Sequence, residues 1–184
     1  MSISTKKDES CWHNDVETTS EEDLFATEST PTKASGNERD QPSAYDRSIM
    51  LLAPREHSVF ELQRKLRTHA YPEADIDEAI AQLQRDGLQS DERFCEIFVR
   101  SRSTRGQGPI KIEAGLRERG VSSALISMAI EAAEVDWQSL AREALEKKFG
   151  QPPASLKEKS KQLRFLASRG FSAEQSYAAL EQLT

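Results

Sequence analysis

An internal repeat of fifty residues constrains this chain more than any other feature of its sequence. Four apolar positions recur at that spacing, as Leu66, Tyr71, Ala79 and Ile80, then as Leu116, Val121, Ala129 and Ile130, and finally as Leu166, Phe171, Ala179 and Leu180. A fixed period of about 20 to 50 residues is typical of stacked supersecondary units. Because one such unit cannot bury its apolar face alone, the sequence predicts three similar units that pack against their neighbours.

Within each unit the apolar residues recur at helical spacing, and turn residues separate three segments. Capping boxes, in which a serine and a Glu or Gln three residues later both satisfy a helix N-terminus, are predicted at three helix starts. The pairs are Ser58 with Glu61, Ser155 with Glu158, and Ser172 with Gln175. In the helix that begins after Ser90, we expect Phe94, Ile97 and Phe98 to form the buried stripe.

The segments together predict an all-α fold. No stretch alternates apolar and polar residues at a period of two, so the sequence offers no candidate strand. We expect an elongated array of three tandem three-helix repeats, over residues 45–88, 89–135 and 136–184. Residues 1–44 contain too few apolar side chains to offset the entropy of ordering, so we predict a disordered tail there.

Charge is distributed unevenly along the chain. Residues 1–44 carry four Lys or Arg against ten Asp or Glu, a net of −6 that accounts for the whole net charge. The three repeats are therefore neutral on balance. Contact with nucleic acid would need a local basic patch rather than the field of the whole protein.

The motifs of common enzyme classes are missing from the sequence. It has no Gly-x-x-x-x-Gly-Lys-Ser/Thr, no His-Glu-x-x-His and no Gly-x-Ser-x-Gly. Its apolar runs are shorter than the roughly 18 residues of a membrane span. The two cysteines, Cys11 and Cys95, do not suit a disulfide framework, and Cys95 is expected to be an inert core thiol. We predict a monomeric cytoplasmic protein that is not an enzyme, does not contact membranes and has no cofactor or metal.

Two smaller features have alternative interpretations. His57 fits a turn residue at a helix entry better than a catalytic base or a metal ligand. Gly106 and Gly108 could cradle a phosphate, because helix N-termini attract anions. With no strand before them and Pro109 after them, a tight turn between helices is the better explanation.

Basic side chains are concentrated in the second and third units. The residues that we predict to bind a filament or DNA are Arg100, Arg102, Arg105, Lys111, Arg117, Arg119, Lys147, Lys148, Lys161, Arg164 and Arg169. Such a run is often only a solvated helix face. The alternative is a surface for a phosphate backbone or for an acidic protein groove, and the sequence leaves both interpretations open.

A series of short motifs extends in order from Tyr45 to Leu183. The motifs are Arg55-Glu56-His57-Ser58, Glu61-Leu62, Lys65-Leu66, Leu88, Asp91, Arg93-Phe94, Phe98-Val99, Arg105-Gly106-x-Gly108-Pro109, Ile112, Leu116, Arg119-Gly120-Val121 and Phe165-Leu166-x-x-Arg169-Gly170-Phe171. Taken together, they resemble the RecX family of recombination regulators. Two residues depart from the family pattern: Cys95 stands where alanine is common, and Gly115 lies inside a predicted helix.

The resemblance implies a non-enzymatic modulator of the RecA recombinase. Members of the family are elongated rows of three-helix repeats that lie in the groove of the RecA–DNA filament. There they restrain filament growth, ATP hydrolysis, strand exchange and co-protease action. We therefore expect RecA filaments as the partner, with single- or double-stranded DNA as a further one, and a role in DNA repair, recombination and the SOS response. A direct DNA-binding module of helical repeats is the alternative.

Overall fold

Nine α-helices and no β-strand are present in residues 41–183, the part of the chain that the computed structural model describes. The helices are α1 (Ala44–Leu52), α2 (Val59–Thr68), α3 (Glu73–Arg85), α4 (Asp91–Ser103), α5 (Pro109–Arg117), α6 (Ser123–Ala132), α7 (Trp137–Phe149), α8 (Leu156–Arg169) and α9 (Ala173–Glu181). The all-α prediction is confirmed. None of these helices has the length and apolar character needed to span a membrane. The sequence predicts a disordered tail over residues 1–44, of which residues 1–40 lie outside the described range. At the end of that predicted tail, Ser43 caps α1 and Ala44 is its first, buried residue, so the helical part begins before residue 45.

Each consecutive set of three helices encloses its own apolar core, and the helix pairs in extensive contact all lie within one set. We call the sets repeat 1 (α1–α3), repeat 2 (α4–α6) and repeat 3 (α7–α9). The cores consist of Ala44, Leu62, Leu66, Ile76, Ala79, Ile80 and Leu83; of Phe94, Cys95, Val99, Ile112, Leu116, Val121, Ile126 and Ala129; and of Ala141, Leu145, Leu166, Phe171, Ala179 and Leu180. Leu66, Leu116 and Leu166 are all 0% exposed, so the fifty-residue period is the period of the core.

Serine caps begin most of the described helices, but only one of the three predicted capping boxes is closed. Ser172 Oγ accepts from Gln175 N–H, and Gln175 Oε1 accepts in return from Ser172 N–H. Glu158 instead accepts from Ala154 N–H at 2.8 Å. Ser58 caps α2 as predicted, but the Glu61 side chain forms ion pairs described below. The predicted return bonds of Glu61 and Glu158 are therefore wrong.

The buried face of α4 also differs from the predicted stripe. Phe94, Cys95 and Val99 are buried, whereas the Ile97 side chain is 51% exposed. Residues two apart on a helix do not share a face, so Ile97 points away from the face that Cys95 and Val99 bury. The prediction for Ile97 is wrong, and this side chain lines a cleft between two repeats.

Candidate binding surface at the repeat junctions

Two junctions connect the repeats, and they use the same positions shifted by fifty residues. At the first, Ser58 Oγ donates to the Arg119 carbonyl at 2.8 Å. At the second, Gly108 N–H donates to the Arg169 carbonyl at 2.9 Å. In both, the C-terminal end of a middle helix, α5 or α8, meets the N-terminus of the preceding middle helix, α2 or α5. The fifty-residue period therefore extends from the cores into the junctions.

Glycines permit the close approach of the backbones at the second junction. A Cβ added to Gly108 would collide with the Gly170 carbonyl, and one added to Gly170 would collide with the backbone and Cβ of Lys111. Gly170 also has a φ of +92°, a conformation in which glycine is favoured. The N–H groups of Gly108 and Ile110 donate to the carbonyls of Arg169 and Gly170. The turn interpretation of the glycine pair therefore fits, and two of the N–H groups that a phosphate would need are already occupied.

The first junction carries its own negative charges. The Glu61 side chain is 7% exposed and lies between Arg55 and Arg119, with one N–O distance of 3.1 Å to each. Glu56 pairs with Arg93 at 3.0 Å. The cavity here, of about 360 Å³, is the first junction cleft, lined by Arg55, Glu56, Glu61, Phe94, Ile97, Phe98, Ser101, Arg102, Arg105 and Arg119.

The second junction cleft lies between repeats 2 and 3 and has a volume of about 370 Å³. It is lined by Thr104, Arg105, Gly106, Leu140, Glu143, Ala144, Lys147, Lys148, Phe165 and Arg169. Arg105, Gly106, Ala144, Lys147, Lys148 and Arg169 are the fifty-residue counterparts of residues that line the first cleft. The two cavities are therefore repeat-related versions of one site.

The charges of the two clefts differ. Gly106 and Lys111 stand at the positions that Glu56 and Glu61 occupy in the first junction. Lys147 and Lys148 replace Ile97 and Phe98. The second cleft is thus lined by four cations and a single carboxylate, that of Glu143. The first cleft is lined by four arginines and two carboxylates, so the excess of positive charge is larger in the second cleft, and this difference favours an anionic ligand there.

An aromatic ring supports the equivalent arginine in each cleft. The Arg119 guanidinium lies 5.0 Å from the ring centroid of Phe98, and that of Arg169 lies 5.4 Å from Phe165. A Cβ on Gly115 would lie 3.0 Å from Phe98 Cζ, so this departure from the family pattern makes room for the ring. Phe165 itself stands at the position equivalent to Gly115. The ring that contacts the arginine therefore comes from α4 in the first cleft and from α8 in the second. The arginine itself occupies the equivalent position in both clefts.

Six of the eleven predicted binding residues line the junction clefts. Arg102 and Arg119 line the first cleft, Lys147, Lys148 and Arg169 line the second, and Arg105 borders both. Arg119 is engaged there: it pairs with Glu61, and its Nη1 donates to the Gly115 carbonyl.

The other five predicted residues lie outside the cleft linings. Lys111 Nζ donates to the Ser168 carbonyl at 3.0 Å across the second junction. Arg117 pairs with Glu113 on the surface of α5. Lys161 Nζ lies 5.9 Å from the Phe149 ring centroid. Arg100 and Arg164 are exposed, one on α4 and the other on α8.

His57 and Cys95 are buried, and neither lines a junction cleft. Burial, reinforced by the charge of Arg55, lowers the pKa of His57, and its Nδ1 lies 3.2 Å from the Arg55 carbonyl. Burial raises the pKa of the Cys95 thiol to about 11. The predicted core position of Cys95 is confirmed, and a thiol with this pKa is almost fully protonated at neutral pH.

Comparison with known protein families matches all three repeats. Residues 44–83 match the first three-helix domain of RecX, residues 90–130 the second and residues 134–180 the third. The chain belongs to the RecX family. The resemblance inferred from the sequence is thereby confirmed, and the three-helix repeats described above are the three RecX domains.

RecX relatives cover most of the chain. The regulatory protein RecX of Chromohalobacter salexigens is 47% identical over 130 residues, which are 71% of this chain and 86% of that protein. The regulatory protein RecX of Halorhodospira halophila is 43% identical over 135 residues, 73% of this chain and 84% of that one. A crystal structure of RecX from Lactobacillus salivarius superposes with a TM-score of 0.66 at 21% identity, covering 76% of this chain and 94% of that one. The last comparison shows a shared fold.

Proposed function

We propose that this RecX family member is a non-enzymatic regulator that binds the RecA–DNA filament and mainly inhibits its ATPase, strand-exchange and co-protease activities. Through this contact it regulates DNA repair, recombination and the SOS response in the cytoplasm. The observation that carries the proposal is the match of every repeat to a RecX domain, together with relatives named as regulatory proteins.

The second junction cleft is the part of the described surface that best suits a filament of protein and DNA. Arg105, Lys147, Lys148 and Arg169 line it with one opposing carboxylate. Arg105 also borders the first cleft, so the basic surface continues along α4 toward Arg102. Such a surface attracts both phosphate groups and acidic side chains. The ion-paired Arg117 and Arg119 are expected to contribute less, because their charges are already compensated.

The test is the DNA-dependent ATPase of RecA on single-stranded DNA, measured over a wide range of concentrations of this protein. We expect inhibition that rises to a plateau. For the double variant Lys147→Glu/Lys148→Glu, we expect the same inhibition to require a concentration at least tenfold higher. Both lysines are exposed, and replacing them by glutamate reverses the sign of the net charge of the cleft lining. Arg64→Glu/Arg85→Glu makes the same charge change on exposed positions of repeat 1 and should inhibit like the native protein. No inhibition at any concentration would contradict the proposal.

A direct DNA-binding module is the second candidate function, and the cationic lining of the second cleft favours it. On duplex DNA, each phosphate contact contributes about −0.9 to the slope of log affinity against log salt concentration. Tight binding to DNA without RecA, with a slope of about −3 or steeper, would support this alternative. Weak binding to DNA combined with strong inhibition of RecA would support the filament regulator.

A further inference from the structure

The two junction clefts occupy equivalent positions, yet among the described residues only the first has a carboxylate that pairs with both of its equivalent arginines. Glu61 on α2 binds Arg55 from its own repeat and Arg119 from repeat 2, each at 3.1 Å. The buried charge of Glu61 therefore ties repeat 1 to repeat 2, beside the pair of Glu56 with Arg93. The two guanidinium groups approach different carboxylate oxygens, and Arg55 Nη1 donates a charge-assisted hydrogen bond to Glu61 Oε2.

At the second junction the equivalent cations are present without the anion. Arg105 corresponds to Arg55 and Arg169 to Arg119, whereas Lys111 stands at the position of Glu61. Lys111 Nζ points to the Ser168 carbonyl, and Arg169 donates through Nη1 to the Arg105 carbonyl at 3.1 Å. These backbone acceptors carry only partial charges. Within the described residues, the basic side chains of Arg105, Lys111 and Arg169 have no acidic partner.

We propose that the second junction cleft binds a phosphate group, which supplies from solution the negative charge that Glu61 supplies at the first junction and so holds repeat 3 against repeat 2. The guanidinium groups of Arg105 and Arg169 are suited to paired hydrogen bonds with phosphate oxygens, and Lys147 and Lys148 add point charges at the rim. At about 370 Å³, the cleft has room for the nucleoside or sugar attached to that phosphate. The site is a property of this chain alone and needs no RecA.

The first experiment measures the thermal midpoint of the full chain in inorganic phosphate and in sodium chloride of equal ionic strength. At a phosphate concentration ten times its Kd, we expect the midpoint to rise by about 3 to 6 °C relative to chloride. Phosphate also stabilises proteins in general by exclusion from their surfaces. The double variant Lys147→Ala/Lys148→Ala removes the rim cations and should lose the specific part of the rise, whereas Arg64→Ala/Arg85→Ala should keep it.

A second arm replaces inorganic phosphate by a short oligothymidylate, to distinguish a free phosphate from a nucleic-acid backbone as the source. A rise that depends on Lys147 and Lys148 with either ligand supports the site, and the ligand that acts at lower concentration identifies the source. Equal rises in the native protein and in both double variants would show a general salt effect and overturn the proposal. So would the absence of any rise with both ligands.

The variant Lys111→Glu tests the equivalence of the two junctions directly. It places between Arg105 and Arg169 the carboxylate that Arg55 and Arg119 share in the first junction. We expect a higher midpoint without phosphate and a phosphate response reduced by at least half. An unchanged or lower midpoint with the full phosphate response would contradict the inference. Because RecA is absent from these assays, their failure would leave the proposed regulation of the filament standing.

Discussion

Replacing Glu61 by glutamine should loosen the junction between repeats 1 and 2. The change keeps the shape of the side chain and the Ser58 cap of α2, and it removes the charge that Arg55 and Arg119 share. Removing one partner of a buried ion pair costs about 3 to 5 kcal/mol, since the other charge is left without compensation. Because Glu61 is only 7% exposed, we take this range as the upper estimate for the cost of Glu61→Gln.

The exposure of the two arginines lowers that figure. The Arg55 side chain is 54% exposed and can regain water, whereas Arg119 is 29% exposed and retains its bond to the Gly115 carbonyl. We therefore expect Glu61→Gln to reduce the free energy of unfolding by about 2 to 3 kcal/mol. For a protein of this size, that loss lowers the thermal midpoint by about 4 to 12 °C.

The matched control is Glu113→Gln, which makes the same charge change in an exposed pair with Arg117 on α5. Pairs of this kind contribute about 0.2 to 0.5 kcal/mol. Urea unfolding followed by circular dichroism compares the two variants under one condition. If Glu61→Gln costs no more than Glu113→Gln, the carboxylate does not hold the junction, and the comparison of the two clefts loses its physical basis.

Three further predictions concern the interior of the repeats. Leu116→Ala should lower the free energy of unfolding by about 2 to 5 kcal/mol in urea titrations, because the side chain is 0% exposed. A loss below about 1 kcal/mol would mean that Leu116 is not a core residue. In a Cys11→Ser background, Cys95 should react with a thiol reagent at the rate of unfolding, since burial raises its pKa to about 11; rapid labelling of the folded protein would contradict this. Burial holds the pKa of His57 below its ordinary value of 6.5, so the folded protein should lose stability as the pH falls below about 6.5. The variant His57→Gln should reduce that loss between pH 7 and pH 5, which chemical denaturation at each pH measures.

The sequence predicted the cores well because burial follows a short-range pattern. Leu66, Leu116 and Leu166 repeat with their neighbours at helical spacing, and all three are fully buried. Ile97 was misassigned because apolar character does not specify which side of α4 faces the core. The angular position of Cys95 and Val99 on the helix would have been the better guide.

The junctions were harder to predict, because their contacts join residues that are far apart in the chain. Glu61 has the spacing of a capping-box residue, yet its carboxylate binds Arg119, 58 positions away. The signal for the second cleft was nevertheless present in the repeat itself. Aligning the units by fifty residues places Gly106 and Lys111 opposite Glu56 and Glu61, and that comparison reveals the change of charge. A list of basic residues cannot separate Arg169, in the cleft, from Arg117, which is paired on the surface.

Gly108→Ala tests whether repeat 3 is held against repeat 2 by direct backbone contact. Gly108 has a φ of −82°, which alanine adopts without strain, and an unobstructed Gly-to-Ala change there would stabilise the protein by about 0.4 to 1 kcal/mol. The added Cβ would instead collide with the Gly170 carbonyl and separate the two backbones. The hydrogen bonds from Gly108 N–H to Arg169 and from Ile110 N–H to Gly170 would then be lost.

We expect Gly108→Ala to lower the free energy of unfolding by about 1 to 3 kcal/mol, because these two hydrogen bonds are lost. The contact at the junction would thus turn an otherwise stabilising substitution into a destabilising one. Native-state hydrogen exchange should show faster exchange of the Ile110 amide, while amides in the core of repeat 1 keep their protection. Gly87→Ala is the control: Gly87 has a φ of +68° and open space around it, so its cost is backbone strain alone and should leave the Ile110 amide protected. A Gly108→Ala protein that is more stable than the native one would mean that repeats 2 and 3 are not in contact at this turn in solution.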